Sequence, residues 1–572
     1  MLKLTKILSL AIICYSLISC NNQEPEEAPT IEPSNPYIDF ETYPNDKILL
    51  GKYGDFLTSI NGNYSKKELS EELKSMNEDI VGKRNDIFQT SYKKGLLDLF
   101  NINNNIRISM STSTNELKKI NEYHEKNNEE SYRVCDLDIQ INDLLFHYED
   151  VGFRLKGNTS RGLVLNNDNT INQRHYKLCF NECFDDEYRT DSYSFKDENE
   201  PIYREDRTFF GLEKLDIRWN KNKESTYIRE YYAFETYRNN GNLAPRSNPF
   251  NFEMNIDGSV QNAGVYLAVE PIDKDFIKRN IVEKHTSGDL YKLGWAKNNS
   301  ARFDSIDSSL FGVEKLHKSN NSYYVEKFVY DLKTNKKTSK HDAIKDFITK
   351  VTYINTSEYY EMLKENTYYD AFIKYLSISY LMGDPDDLRG NYNNTYVYFI
   401  PYEDGISKAY FIPTDHDRVL GQTGDEGGNP TGHHSTLNNP FDNNTGYCNI
   451  NTMPLFKKSI FENGNDSVKE DYIKSIDSII DNGWFDIEKF VSYYLVASKH
   501  YSNKTVLGDK FTNEEVEFSL KESNDIYSKE NLSIDIYIAT KLKNYIDYKS
   551  KDSEWFLSLI FVILSLIDEL LV

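Results

Sequence analysis

The sequence is poor in cysteine and lacks paired cysteines. Six cysteines are spread over 572 residues, and no two form a C-x-x-C pair. Beyond Cys14 and Cys20 the remaining four are too scattered for a zinc site, and the spacing of Cys179 and Cys183 is too isolated for one. One or two disulfides remain open in a chain outside the cytoplasm. Packed thiols are the expectation.

Positive charge is also in short supply. The chain has 67 Lys and Arg against 90 Asp and Glu, a formal net charge of −23. Such an acidic chain has little general affinity for nucleic acid or for an anionic membrane surface, so we expect no nucleic-acid partner. If the charge selects partners at all, it favours basic ones. The alternative is that it simply keeps the protein soluble.

A long uncharged run is missing from the C-terminal end. The apolar stretch from Trp555 to Ile567 is shorter than the roughly 20 residues that cross a bilayer as a helix. Residues 555–572 are therefore expected to form a buried last helix or an atypical apolar tail.

The N-terminus has the order of a secretion signal. "MLKLTKILSLAIICYSLISC" runs from two early lysines through an apolar core to small residues, an order typical of export rather than of a structural helix. Its Leu-x-Ser-Cys ending resembles a bacterial lipoprotein lipobox, which implies cleavage before Cys20 and a lipid on its thiol. Residues 1–20 would then be the signal and 21–45 a solvated tether. We expect an exported lipoprotein held in the membrane through Cys20; the alternative is a soluble secreted protein.

Length and patterning predict a mixed α+β protein. A chain of 572 residues exceeds what one compact core usually serves, so a two-lobed unit or two to three domains are expected. We predict an N-terminal helical extension over 46–103 and a strand-rich part over 104–272. A helical part follows over 273–554.

One glycine turn follows a predicted strand. In "FRLKGNTSRG", residues 153–162, the strand runs into Gly157 and a group of hydroxyls. Glycine lets backbone N–H groups approach phosphate oxygens closely, so Gly157, Thr159 and Arg161 are candidate nucleotide contacts. A plain hairpin is the alternative.

A lysine and a helix follow this turn. Lys177 lies in the predicted strand "HYKLCF", where it faces either phosphate or water. "ESTYIREYYAFETYRNNG" predicts a helix with Ser225 or Thr226 as N-cap and Gly241 as its stop. Glu230 or Glu235 of this helix is a candidate partner for Lys177; the alternative is that they lie on a solvated face.

A strand then ends at a proline. "AGVYLAVEPIDKDFIKR" alternates as a strand to Val269 and breaks at Glu270-Pro271. We interpret this joint as a hinge between two lobes. Its exposed backbone, at Glu270, is a candidate contact for an adenine edge.

The richest polar cluster is "GDPDDLRGNYNN", residues 383–394, directly after a predicted helix. It fails as a calcium loop, because Leu388 and Arg389 occupy positions that need a ligand and a glycine. Sequence alone does not test a glycosidase pair, because carboxylate separation is a spatial quantity. Asp386 and Asn391 do have the aspartate, four residues, asparagine spacing of a kinase catalytic loop.

A second carboxylate is needed to hold the metal in that chemistry. "TYVYFI" and "KAYFIP" predict two strands about a "YEDG" turn, and the second strand leads into "TDHDRVLG". The hairpin is expected to bring Asp417, or less favourably Asp415, near the first cluster. Oxygen-only ligands suit Mg²⁺ or Mn²⁺ better than zinc. His416, between the two, is interpreted as structural.

Five stretches in order resemble one family. They are "VGFRLKGNTSRG", "YIREYYAFETYRNNGNLAPRS", "GVYLAVEPIDKDFIKR", "GDPDDLRGNYNNTYVYF" and "FIPTDHDRVLG". Together they look like the successive signatures of the CotH (spore-coat protein H) kinase family. The resemblance implies an atypical, two-lobed protein-kinase-like fold, with a strand-rich N-lobe and a helical C-lobe. It also implies ATP, a divalent metal and phosphorylation of serine or threonine hydroxyls on proteins.

The same resemblance assigns roles to the acidic cluster. It makes Asp386 the catalytic aspartate, with Asn391 and Asn394 beside it, and Asp417 the metal aspartate. Asp387 is the main rival of Asp386 for the first role.

Three positions depart from the family pattern. Pro385, Thr395 and Arg174 stand where the family often has other residues. An inactive kinase-fold scaffold on the surface therefore remains an alternative. A carbohydrate-active surface enzyme is a second alternative, because it could use the same carboxylates. If the protein is a kinase, its acidity favours substrate segments rich in serine and lysine.

Overall fold

The computed structural model describes the chain from residue 96 onward, with gaps. The described residues are 96–128, 130–158, 160–182, 208–222, 224, 226–319, 322–402, 405–422, 439–441, 453–461, 464–500, 504–505, 508–509 and 532–550. Cys20, Thr159 and Ser225 lie outside them, as do 1–20, 21–45, 555–572 and most of 46–103. No helix among the described residues is long and apolar enough to cross a membrane.

The first half is a closed barrel of seven strands in the order β1-β2-β3-β4-β5-β7-β6. Neighbouring strands are antiparallel, except that β6 runs parallel to β1 and so closes the barrel. The strands are β1 Ile106–Thr112, β2 Arg133–Ile141, β3 Leu144–Leu155, β4 Tyr176–Cys179, β5 Lys214–Trp219, β6 Ser247–Ile256 and β7 Ser259–Val269. Helix α1, Thr114–Glu125, follows β1, and helix α2, Arg229–Asn239, lies between β5 and β6.

The alternation of apolar and charged residues positions the site. On β5, Leu215 and Ile217 pack inside the barrel, so Asp216 and Arg218 lie on its outer face. On β4, Lys177 is on the outer face in the same way, because its neighbours Tyr176 and Leu178 are interior. The barrel therefore presents a row of charged side chains on the outside of adjacent strands.

The second half combines helices with a five-stranded sheet in the order β14-β13-β8-β12-β9. Its strands are β8 Leu290–Leu293, β9 Phe311–Gly312, β12 Tyr330–Leu332, β13 Thr395–Pro401 and β14 Ser407–Pro413, with the separate hairpins β10 Lys315–Ser319 and β11 Ser322–Glu326, and β15 Lys504–Thr505 and β16 Gly508–Asp509. Its helices are α3 Lys274–Asn280, α4 Asp342–Tyr353, α5 Tyr359–Asn366, α6 Tyr369–Met382, α7 Leu388–Asn391, α8 Pro454–Ser459, α9 Asp466–Asp481 and α10 Ile487–Ala497. Residues 534–550 form a further helix.

Helix α2 packs with the second half, although it lies between two barrel strands in sequence. Tyr232, Phe234 and Tyr237 belong to the hydrophobic core built by the second sheet and its helices. Val265 and Leu267, on the outer face of β7, belong to the same core. The barrel and the second half therefore share a packed boundary, and α2 lies at it.

The predicted α+β class is confirmed. Strands are found in "HYKLCF" and in both arms of the "YEDG" hairpin, and helices are found in the predicted helical part after residue 273. The part after 273 is not only helical, because five of its strands form one sheet. The side chains of Cys135 and Cys179 are buried thiols.

The predicted N-cap of α2 is wrong at Thr226. The helix begins at Arg229, and its N-cap, Ile228, makes no side-chain cap hydrogen bond. The backbone N–H of Thr226 donates to Glu224 Oε1 at 2.7 Å, and its hydroxyl donates to the same oxygen. Glu224 therefore ties Thr226 into the preceding loop.

Candidate functional site

The acidic cluster starts at the end of α6. Gly383 has φ +65° and closes the helix, a conformation that favours glycine. Asp384 Oδ1 then accepts the backbone N–H of Asp386 at 2.9 Å, and Asp384 Oδ2 shares a 2.9 Å hydrogen bond with His416 Nδ1. Asp384 thus contacts both the turn after α6 and the loop that follows β14.

The carboxylate of Asp386 is held by three asparagines. Nδ2 of Asn391 donates to its Oδ1 at 2.7 Å, and Nδ2 of Asn393 donates to the same oxygen at 3.2 Å. Nδ2 of Asn394 donates to Oδ2 at 3.1 Å. The short helix α7 makes this possible, because it returns the chain to Asp386 within one turn. The predicted pair of Asp386 and Asn391 therefore meets in space.

Asp387 has a different environment. It is the N-cap of α7, where its Oδ1 accepts the N–H of Gly390 at 2.7 Å and its Oδ2 accepts the Ser379 hydroxyl at 2.5 Å. The side chain is fully buried, and burial raises the pKa of Asp387 to about 6. Its two oxygens cap α7 and accept the Ser379 hydroxyl, which indicates a structural role, and its rival catalytic role stays a prediction.

The β13–β14 hairpin brings the two acidic stretches together. Thr395 pairs with Pro413, and the N–H of Thr414 donates to the carbonyl of Asn394 at 3.0 Å. Nδ2 of Asn394 also lies 3.5 Å from the carbonyl oxygen of Asp415. One asparagine therefore contacts the Asp386 carboxylate and the backbone of the second acidic loop.

Arg218 connects the barrel to this loop. Its Nη1 lies 2.7 Å from Asp415 Oδ1 and forms an ion pair with Glu230 of α2. Burial alone would raise the pKa of Asp415, but Arg218 and then Lys156 bring it well below its usual value. Burial likewise opposes the charge on Arg218, yet Glu230 and the neighbouring aspartates hold its pKa above normal. The loop carboxylate and the barrel cation are thus both ionised.

Among the described residues, no cation lies at hydrogen-bond distance from the carboxylate of Asp417, the other aspartate of this loop. Burial, and then the nearby Asp415 charge, raises the pKa of Asp417 to about 6. Its carbonyl oxygen accepts Nδ2 of Asn222 at 3.2 Å. The loop therefore carries negative charge that a cation would stabilise.

The donor set fits a hard divalent metal. Asn391 and Asn394 point their amide nitrogens at Asp386, so their amide oxygens face away from that carboxylate. These amides and the Asp417 carboxylate carry oxygen atoms, the kind of ligand that Mg²⁺ and Mn²⁺ prefer. Within the part of the chain that the structure describes, no three His, Cys, Asp or Glu residues are grouped to hold a metal ion. Phosphate oxygens of a nucleotide would complete such a set.

The outer face of the barrel presents lysines on the same side as Arg218. Lys156 Nζ lies 2.7 Å from Asp216 Oδ2, and Lys177 Nζ lies 3.4 Å from Asp216 Oδ1. Lys177 and Asp216 are register partners of β4 and β5. The expected contact of Lys177 with Glu230 is wrong, because the ion-pair partner of Glu230 is Arg218.

Lys156 is the more unusual lysine of the two. Burial, followed by the charge of Arg218, lowers the pKa of Lys156 to about 8. It lies directly between the end of β3 and Gly157, at the start of the predicted phosphate turn.

The glycine turn is tight. Gly157 has φ +95°, and a Cβ there would lie 2.0 Å from Ser160 Oγ. The hydroxyl of Ser160 donates to the carbonyl of Lys156 at 3.1 Å. Arg161 forms an ion pair with Glu130, which also lies 2.7 Å from Arg154. Ser160 therefore closes the turn onto the backbone of Lys156. Arg161, beside the turn, is already paired with Glu130.

The predicted adenine contact at Glu270 is corrected. The residue is buried, and its N–H donates to the carbonyl of Arg246 at 2.8 Å. Its carboxylate pairs with Arg246 at 3.2 Å and with Arg279 at 3.1 Å. The joint after β7 is thus a buried ion-pair network, and its N–H is not exposed to a ligand.

Sequence reasoning missed Lys156, Asp216, Arg218 and the contacts of His416. A signal for two of them was present: in "KLDIRW" an aspartate and an arginine alternate with leucine and isoleucine, which places both charges on one face of a strand. The signal for Lys156 was its place next to Gly157. The partners of these side chains depend on strand register, which the sequence does not specify.

Comparison with known families agrees with this geometry. No curated protein matches the chain. A family model described as CotH kinase protein matches residues 183–494, which is more than half of the sequence. The matched range contains α2, the joint after β7, the asparagines around Asp386 and the loop of Asp417, whereas the glycine turn precedes it. The extent of the match, and the ordered site that lies inside it, make this chain a member of the CotH kinase family.

Proposed function

We propose that the protein is an atypical protein kinase, which transfers the γ-phosphate of ATP to serine or threonine hydroxyls of proteins. The observation that carries the proposal is the double contact of Asn394 with Asp386 Oδ2 at 3.1 Å and with the carbonyl of Asp415 at 3.5 Å. Through these two contacts Asn394 joins two acidic stretches, which a hairpin separates in sequence, into one site. The cations Lys156 and Arg218 lie on the barrel side of that site.

Asp386 would accept the proton of the attacking hydroxyl or orient it. This role needs a carboxylate that is fixed in place but still ionised. The three asparagine amides fix it, since each donates one hydrogen bond to it.

Asp417, with the amide oxygens of Asn391 and Asn394, would hold Mg²⁺ or Mn²⁺. When bound, such an ion neutralises charge on the transferring phosphate oxygens. Asp415 has a separate role in this scheme, because Arg218 already pairs with it at 2.7 Å. It would keep the loop against the barrel.

Lys156 and the turn at Gly157 would bind the nucleotide phosphates. Lys156 is the better candidate for the phosphate contact, because it lies directly beside the glycine. Lys177 pairs with the same carboxylate, Asp216, as Lys156 does. In this interpretation the barrel acts as the N-lobe and the part after residue 273 as the C-lobe. α2 supplies the helix glutamate, Glu230, which acts on Arg218 rather than on a lysine.

We further propose that the protein is exported and lipid-anchored through Cys20, and that it acts on basic segments. The lipobox-like ending at Cys20 supports the anchor. The net charge of −23 supports attraction of lysine-flanked serines. A C20S chain that still partitions with membranes would refute the anchor. A peptide screen without preference for lysine over glutamate beside the serine would refute the substrate class.

The direct test uses purified full chain, labelled ATP and Mg²⁺. The protein is expected to label itself or a basic protein, and Asp417→Ala is expected to abolish the label. An inactive scaffold would show neither labelling nor a nucleotide-dependent thermal shift. Release of sugar from glycans without labelling would favour a carbohydrate-active enzyme.

A further inference from the structure

The ring of His416 stacks on two aromatic rings of α2. Its ring centroid lies 5.8 Å from that of Phe234, with 29° between the planes, and 5.5 Å from that of Tyr237, with 23° between them. The residue is 1% exposed. Its imidazole is thus held by near-parallel stacking with both rings, which fixes its orientation as well as its position.

A third residue of the same helix face holds the backbone of His416. Its N–H donates to Glu230 Oε1 at 3.1 Å. Glu230, Phe234 and Tyr237 follow the i, i+4, i+7 spacing that lines one face of a helix. One face of α2 therefore holds the residue that lies between Asp415 and Asp417.

The remaining contact of His416 runs to the other acidic stretch. Nδ1 and Asp384 Oδ2 are 2.9 Å apart, and Asp384 Oδ1 accepts the N–H of Asp386 at 2.9 Å. Two hydrogen bonds in sequence thus connect the His416 ring to the backbone of the proposed catalytic aspartate. Both Asp384 and His416 are buried, where such bonds are directional and costly to break.

In the described part of the chain, no three His, Cys, Asp or Glu side chains are grouped to hold a metal ion at His416. Its ring stacks on Phe234 and Tyr237, and Nδ1 is bonded to Asp384. Its Nε2 is buried and has no hydrogen-bond partner within the described ranges. The ring therefore serves a contact between protein segments.

We propose that His416 and Asp384 form a positioning pair. The pair sets the distance between Asp386 and the carboxylates of Asp415 and Asp417, and it transmits the position of α2 to both. The inference rests on the proposed kinase function for its catalytic meaning. The structural part of the inference does not depend on that function. Displacing α2, or breaking the bond between His416 and Asp384, is expected to move both acidic loops.

The test compares variants at His416 with a matched buried histidine. His416→Phe keeps an aromatic ring that can stack on Phe234 and Tyr237 but removes the Nδ1 bond. His416→Asn keeps a donor for Asp384 and removes the stacking. The control is His285→Phe: His285 is buried, its Nδ1 lies 2.7 Å from the Pro401 carbonyl and its ring is 5.0 Å from Tyr402. Pro401 is at the opposite end of β13 from Asn394.

Three readouts are taken on the full chain. Amide hydrogen exchange over 384–394 and 414–418 is expected to become faster in His416→Phe at both segments. The Mn²⁺ dissociation constant is expected to rise about tenfold, the effect typical of losing an outer-shell partner. The kcat for labelling is expected to fall while KM for ATP changes little. His416→Asn should recover part of each loss, and His285→Phe should change none of the three.

The outcomes separate the two proposals. If His416→Phe and His285→Phe have the same exchange over both segments and the same Mn²⁺ affinity, the positioning pair is refuted. If His416→Phe does not fold, Asp384→Asn, which keeps an oxygen for the Asp386 N–H, is compared in the same way and decides the question. If the wild-type chain transfers no phosphate, the kinase proposal falls, while the exchange comparison still accepts or refutes the coupling.

Discussion

Nη1 of Arg218 lies 2.7 Å from Oδ1 of Asp415, and this ion pair joins strand β5 of the barrel to the loop after β14. The two residues are far apart in sequence, yet the same guanidinium also pairs with Glu230 of α2. The barrel, the helix and the acidic loop thus converge on one buried cation. The charge on that cation makes the arrangement sensitive to single substitutions.

Arg218→Met is expected to lower the free energy of unfolding by about 1–3 kcal/mol, because it removes the hydrogen-bond donor of the buried Glu230 carboxyl, whose pKa burial raises to about 8, and the cation that pairs with Asp415. Urea denaturation measures this loss. The control is Arg107→Met, whose pair with Glu253 is 4.0 Å long and half exposed, and which should change stability by less than about 1 kcal/mol. Equal losses in the two variants would refute the buried network.

Lys156→Met is expected to raise KM for ATP at least about tenfold, the effect of losing one charge-assisted phosphate contact. Lys177→Met, which removes the other lysine on Asp216, should have a smaller effect. Steady-state kinetics with labelled ATP compare the two. A larger effect of Lys177→Met would return the nucleotide lysine to the position first predicted from the sequence.

The lowered pKa of Lys156 predicts that the affinity for ATP depends on pH. The pKa of Lys156 is lowered to about 8, and a lysine is cationic only below its pKa. Affinity for ATP should therefore fall as the pH rises from 7 to 9, and Lys156→Met should lack this fall. A wild-type affinity that stays constant or rises over this range would contradict the assignment.

Asp387→Ala is expected to cost about 2 kcal/mol of stability, since it removes a helix cap and leaves the Ser379 hydroxyl buried without its acceptor. Asp387→Asn keeps an oxygen for the Gly390 N–H and should retain most labelling activity. Thermal unfolding and labelling are measured on both. Loss of labelling in a stable Asp387→Asn chain would favour Asp387 as the catalytic aspartate.

Gly157→Ala is expected to weaken ATP binding through the backbone. Gly157 has φ +95°, so a side chain there costs roughly 1–3 kcal/mol of strain or moves the turn. Gly258, with φ +89° and open space around it, is the matched control at the β6–β7 turn. Only Gly157→Ala should raise KM for ATP, whereas both should lower the melting temperature.

Local sequence patterns were enough to predict the parts of the site whose residues lie close in sequence. Asp386 and Asn391 are within one turn of α7, and strands β13 and β14 are neighbours joined by a short turn, so spacing and alternation were enough to predict that they meet. The α+β class follows from the same patterns.

Contacts between distant segments were not predictable in this way. Lys177 has Asp216 as its partner because β4 pairs with β5 in one register, and a shift by one residue would have given a different partner. Glu270 looked exposed next to a proline, but the later arginine Arg279 buries it in an ion pair. Thr226 has the side chain of an N-cap, yet Glu224 holds it outside the helix.

The most direct test of the central claim is phosphate transfer by Asp386→Asn. The measurement is the labelling rate with labelled ATP and Mg²⁺, together with Mn²⁺-ATP affinity, for this variant and wild type. We expect the rate to fall about 10²–10⁴-fold, the contribution of a positioned catalytic base, with nucleotide affinity nearly unchanged. A variant that labels as fast as the wild type would contradict the assignment of Asp386 and with it the proposed site.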